Sequence, residues 1–184
     1  MNTSYAVLFL MALGLIILIL KSSKKKVVSL MKALTNVSKL IIAENLLAYY
    51  EKKLKLDDKN LLGTYASAAT NYLFGENPAD NHKTLNIKEI EIEAVDFVKQ
   101  NKSIRELLVQ SLRVTHTLNI QKNTNIDLNS LKILTILGEE FPESPQVKSY
   151  FLLIHKELNK LPESTKSYIL HTFPNALNYY QTKS

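Results

Sequence analysis

KKKVVSLMKALTNVSKLIIAENLLAYYEKKLKL, residues 24–56, decides the fold. Val27, Leu30, Met31, Leu34, Val37, Ile41 and Ala48 recur every three or four residues, the spacing of an apolar stripe on a helix. Leu40, Leu47, Tyr50 and Leu54 mark a second stripe on the same segment. A helix apolar on two faces is one contacted on two sides. Neither glycine nor proline interrupts the segment, so one long basic amphipathic helix is predicted over residues 24–56.

On the N-terminal side lies a sixteen-residue run, Tyr5 to Leu20, broken only by Gly14. As a helix it spans about 24 Å, against about 30 Å of bilayer hydrocarbon. Thr3, Ser4 and the stem of Lys21 lie where they can extend it, and a bilayer can thin locally. A cleavable signal peptide is the rival reading. No basic residue precedes the run, no small-x-small site follows Leu20, and no cysteine is present for lipidation. The expectation is therefore a single transmembrane anchor over residues 1–23, carried by Tyr5, Leu8, Leu10, Leu13, Ile16, Ile19 and Leu20. Lys21, Lys24, Lys25 and Lys26 follow it and would lie at the membrane surface. Positive charge stays on the cytoplasmic side, which predicts an outer N-terminus and a cytosolic 21–184.

The net charge of +6 is entirely juxtamembrane. Residues 21–59 hold ten lysines against Glu44, Glu51, Asp57 and Asp58, whereas residues 60–184 hold thirteen basic and thirteen acidic side chains. Such a distribution reads as a topology signal, or as a clamp on anionic headgroups. It leaves no footprint for nucleic acid, whose recognition needs a basic surface and stacking aromatics. Lysine outnumbers arginine twenty-one to two, which argues against bidentate clamping of phosphate or carboxylate.

On the C-terminal side, residues 57–184 predict an all-α domain. Asp57 and Asp58 offer an N-cap for a helix over about 59–74, in which Gly63, Ala66, Ser67, Ala68 and Ala69 would admit a close neighbour. Residues 75–82 form the longest polar break. Residues 85–100 fit a helix, although Ile90, Ile92 and Ala94 alternate like a strand. Helix is preferred, because a lone strand would have no partner. Ser103 and Glu106 have capping-box spacing and predict a helix through Leu118, with Ile104, Leu107, Leu108 and Leu112 inward. Asp127 is placed to cap a helix over 128–141. Ser144 and Pro145 suit N-cap and N1 of the next, whose inward stripe is Val147, Tyr150, Phe151, Ile154, Leu158 and Leu161. Pro162 and Pro174 open two more short units, ending near His171 and Tyr180.

Phe141-Pro142 recurs as Phe173-Pro174, and Phe74 with Pro78 recurs as Phe141 with Pro145, spacings of 32 and 67. Helix-turn-helix units of about 34 residues mark tetratricopeptide arrays. The segments Asn60 to Ala66 and Glu139 to Pro145 resemble, respectively, the start of such a repeat and the junction between two. The family's tryptophan, its small crossing residue and its later alanine do not occur together in any one unit, and residues 76–126 carry no clear unit. The resemblance implies a degenerate helical-hairpin array with a groove for a peptide or helix. The alternative is an antiparallel helical bundle whose prolines merely start helices.

Chemical signatures are sparse. His82, His116, His155 and His171 are dispersed without metal-ligand spacing, and there is no phosphate loop or nucleophile elbow. Glu89, Glu91, Glu93 and Asp96 read as a solvated face partly neutralised by Lys88 and Lys99, with a divalent ion as the lesser alternative. No catalytic, cofactor or metal residue is assigned, and no enzyme activity is expected. Tyr49, Tyr50, Tyr65 and Tyr72 suit core packing, while Tyr179 and Tyr180 suit an exposed contact with a partner. The function expected is a membrane-anchored cytosolic scaffold or adaptor that recruits a protein to the lipid bilayer. The alternatives are an accessory subunit of a larger membrane complex and a lipid-acting helical-bundle enzyme.

Overall fold

The structure is a computed structural model that describes residues 24–76, 85–122 and 124–172. Within them it is all-α, with no strand. The helices are α1 (Lys24–Leu54), α2 (Lys59–Leu73), α3 (Ile87–Gln100), α4 (Lys102–Gln121), α5 (Leu128–Glu140), α6 (Pro145–Glu157) and α7 (Glu163–Thr172), with a 3₁₀ turn at Leu158–Lys160. Within the segment 85–100, Ile87–Gln100 is helix, as preferred over the strand reading. Among the described residues no helix is long and apolar enough to cross a membrane. The expected anchor, residues 5–20 with Lys21, lies outside the described residues, as do His82, the Pro174 unit, and Tyr179 with Tyr180.

Local chemistry sets most helix ends. Asp58 caps α2, its Oδ1 accepting from Asn60 N at 2.9 Å and Leu61 N at 3.1 Å. Asp127 caps α5, accepting from Ser130 N at 2.9 Å. The C-terminus of α2 closes with Glu76 N donating to Asn71 O and Gly75 N to Tyr72 O. Gly75 sits at φ +74, where a Cβ would fall 2.2 Å from Asp127 Oδ1. One expectation fails here. Ser103 and Glu106 form no capping box, because α4 begins at Lys102 and its N-cap is Asn101, two residues before Ser103. Asn101 is the only residue between α3 and α4, and its side-chain amide is spent on the end of α3, donating to Phe97 O at 2.7 Å. Ser144 does occupy the N-cap of α6 ahead of Pro145 at N1, but its hydroxyl makes no cap hydrogen bond.

The core runs through the middle of all these helices. α1 packs on α2 and on α4, α2 on α3 and α5, and α4 on α3 and α6. The inward row of α1 is Ser38, Ile42, Leu46 and Tyr50, at four-residue spacing. This corrects the expected phase. Val37 and Leu40, assigned to the two stripes, are 44% and 64% exposed, and Leu47 is 38% exposed. Ile42 and Leu46, which neither stripe included, are fully buried. α1 is apolar around most of its circumference, and the positions of α2 and α4 select which row is buried. The four tyrosines pack as expected for core: the ring centroids of Tyr49 and Phe97 lie 5.2 Å apart, and those of Tyr50 and Tyr65 5.3 Å apart. Tyr50 is fully buried, and burial, with the nearby Glu93 carboxylate second, raises its pKa well above the ordinary phenol range.

Candidate functional site: an apolar groove between α1 and α2

The residues that α1 leaves uncovered converge on one feature. Leu40, Ala43 and Leu47 form one wall of an open groove of about 520 Å³, and Gly63, Ala66 and Ser67 of α2 form the other. The small residues of α2, expected to admit a close neighbour, do so where Ala66, Ala68 and Ala69 are buried, but no helix of the described chain fills the space beside Gly63 and Ser67. A Cβ built on Gly63 would meet nothing within 4 Å. Full burial of a leucine is worth about 1.5–3 kcal/mol, of which Leu40 forgoes roughly two-thirds and Leu47 roughly a third, and such patches mark interaction surfaces. Polar groups rim the groove. Lys39 pairs with Glu76 and lies 5.3 Å from the Phe74 ring centroid, while Glu44 is exposed on the other edge of the leucine row. Asn36 continues the row toward the N-terminus of α1.

A second polar constellation is sealed. His116 of α4 lies with Tyr150 Oη 2.8 Å from Nδ1 and Ser130 Oγ 2.9 Å from Nε2. Ser130 Oγ donates to Asp127 O at 2.9 Å. With that hydrogen committed, Ser130 accepts from Nε2–H, and Nδ1 accepts from the Tyr150 hydroxyl. All three side chains of the network are then satisfied with a neutral imidazole. Burial lowers the His116 pKa to about 3 and raises that of Tyr150 well above its usual range. His116 is 2% exposed and Tyr150 is fully buried, so no ligand reaches them. The network locks α4, α5 and α6 in one arrangement.

The remaining expected sites resolve simply. Lys24, Lys25 and Lys26 open α1, and Lys26 is exposed. His155 and His171 are exposed at helix surfaces. Glu93 of the acidic run pairs with Lys53 of α1, whereas Lys99, expected to neutralise that run, pairs with Glu140. No group of metal-ligating residues occurs among the described residues. Arg105, whose side chain sequence reasoning left unremarked, is buried, stacks 3.6 Å from the Phe141 ring centroid and donates from Nη1 to Lys99 O at 2.7 Å. It holds the turn after α5 against the α3–α4 junction.

Comparison of the chain with family models, with curated proteins and with solved structures returns no match.

Proposed function

We propose that this chain is a membrane-anchored helical adaptor that binds a helix of a protein partner in the α1–α2 groove. One observation carries the reading: Leu40, 64% exposed, and Leu47, 38% exposed, flank a space that Gly63 leaves empty. A groove of apolar walls with a polar rim takes an amphipathic helix through anchors one or two turns apart. The anchor is residues 5–20, and the juxtamembrane Lys24–Lys26 at the start of α1 make the groove-bearing helix the first element beyond the bilayer. Pairing of α1 with α4, and of α2 with α5, favours a closed bundle over a repeat array in which each unit touches only its neighbours.

The test places a photoreactive side chain at Leu40 of the full chain in membranes. Illumination is expected to give a protein adduct, and Gly63→Leu, which fills the groove, is expected to remove it. An absent adduct, or one that survives the filling, contradicts the reading.

A further inference from the structure

We infer that the groove is occupied by a second copy of this chain, with the two α1 helices parallel and each inserting Leu40 and Leu47 beside the Gly63 wall of the other. This rests on the reading of the groove as a helix-docking site and names its partner.

The period of the exposed row points to a like helix. Ala33, Asn36, Leu40, Ala43 and Leu47 are spaced 3-4-3-4, the 3.5-residue repeat of a two-stranded coiled coil. The buried row, Ser38, Ile42, Leu46 and Tyr50, is separate and is used within the chain's own core. α1 therefore carries a second seam of about two heptads, open at Ala33, Asn36 and Leu40 and partly covered at Ala43 and Leu47.

Charge and polarity select parallel self-pairing. Lys39 precedes Leu40 on one edge of the seam, and Glu44 follows Ala43 on the other. In a parallel pair these opposite edges face each other, so Lys39, which already pairs with Glu76 of its own chain, comes beside Glu44 of the other copy, twice. An antiparallel pair sets Leu47 against Asn36 and draws Glu44 away from Lys39. In the parallel register Asn36 meets its own counterpart. An amide both donates and accepts, so two asparagines can satisfy each other across the seam. Two chains anchored in one bilayer are held in this orientation, and their confinement raises the effective concentration of one α1 for the other. Two heptads alone are a short coiled coil. The small-residue wall of α2 supplies the rest of the surface, making a four-helix contact of α1 and α2 from each copy.

The chain has no cysteine, so one introduced cysteine reports directly on self-contact. In membranes holding the full chain, Ala43→Cys and Asn36→Cys are expected to form disulfide dimers under mild oxidation. Ala48→Cys, exposed on the same helix but off the seam, is expected to form none. Adding Glu44→Lys to Ala43→Cys should lower the dimer yield about threefold, as for a rim ion pair. No disulfide at either seam position, or equal yield at Ala48→Cys, overturns self-pairing. The photoreactive Leu40 adduct separates the two claims. A mass of two chains supports both. A mass of one chain plus a different protein overturns self-pairing and leaves the docking groove standing. No adduct overturns both.

Discussion

His116 shows how much one residue can organise. It carries no net charge in the folded chain because Tyr150 and Ser130 satisfy it as a neutral ring in a site that water does not reach. In the unfolded chain the same imidazole titrates near 6.5, against about 3 when folded. A lowered folded pKa means that the unfolded state binds the proton first. Stability therefore falls as pH drops below about 6.5, and goes on falling toward about 3, at about 1.4 kcal/mol per pH unit from this group. Urea denaturation of the wild-type chain and of His116→Asn between pH 7 and pH 4 checks it. The wild-type dependence should be steeper by that amount, and parallel profiles would contradict the assignment. The site was partly legible. Position 116 continues the row Ile104, Leu108, Leu112 at four-residue spacing, so a histidine on an apolar stripe was visible in the sequence. Its partners were not, because they lie 14 and 34 residues further along the chain and meet it only through tertiary packing.

At the scale of the element, the helices themselves were well marked, and their phase was not. The caps at Asp58 and Asp127 and the proline at 145 mark three helix starts, since each acts within one turn. The orientation of α1 is set elsewhere: a helix apolar on several faces packs in whichever phase its neighbours impose, and the face they leave over becomes the groove. The glycines separate packed from open surface. In α5, a Cβ on Gly138 would lie 2.5 Å from the Phe151 ring, whereas one on Gly63 of α2 would enter empty space. In a chain whose groove is unoccupied, Gly63→Ala should stabilise the fold by about 0.5–1 kcal/mol, the helical advantage of alanine. Gly138→Ala should destabilise it by about 1–2 kcal/mol, because overpacking against a core aromatic outweighs that advantage. Thermal denaturation of the two variants distinguishes them by sign. A gain at Gly138→Ala would mean that α5 does not press on the Phe151 ring, and a loss at Gly63→Ala that the groove wall of α2 is already covered.

For the whole molecule, the all-α class was legible from scarce glycine and recurrent caps, but the partners of each helix were not. α1 meets α4 across two intervening helices, and no local pattern encodes that pairing. The groove follows from the same fact: its leucines belong to a second stripe that sequence alone read as a contacted face, without saying what contacts it. In the proposed arrangement, one long helix leaves a bilayer, buries one row in a cytosolic bundle and offers the other to a partner beside the membrane. That arrangement depends above all on the side of the membrane that α1 enters. A reporter active only in the cytosol, fused after Ser184 of the full chain, tests this most directly, with alkaline washing to show that the fusion stays in the membrane. The expected result is an active reporter in wash-resistant membranes, with activity reduced when Lys21, Lys24, Lys25 and Lys26 are made neutral. A reporter silent in the cytosol, or a fusion released by the wash, would contradict it.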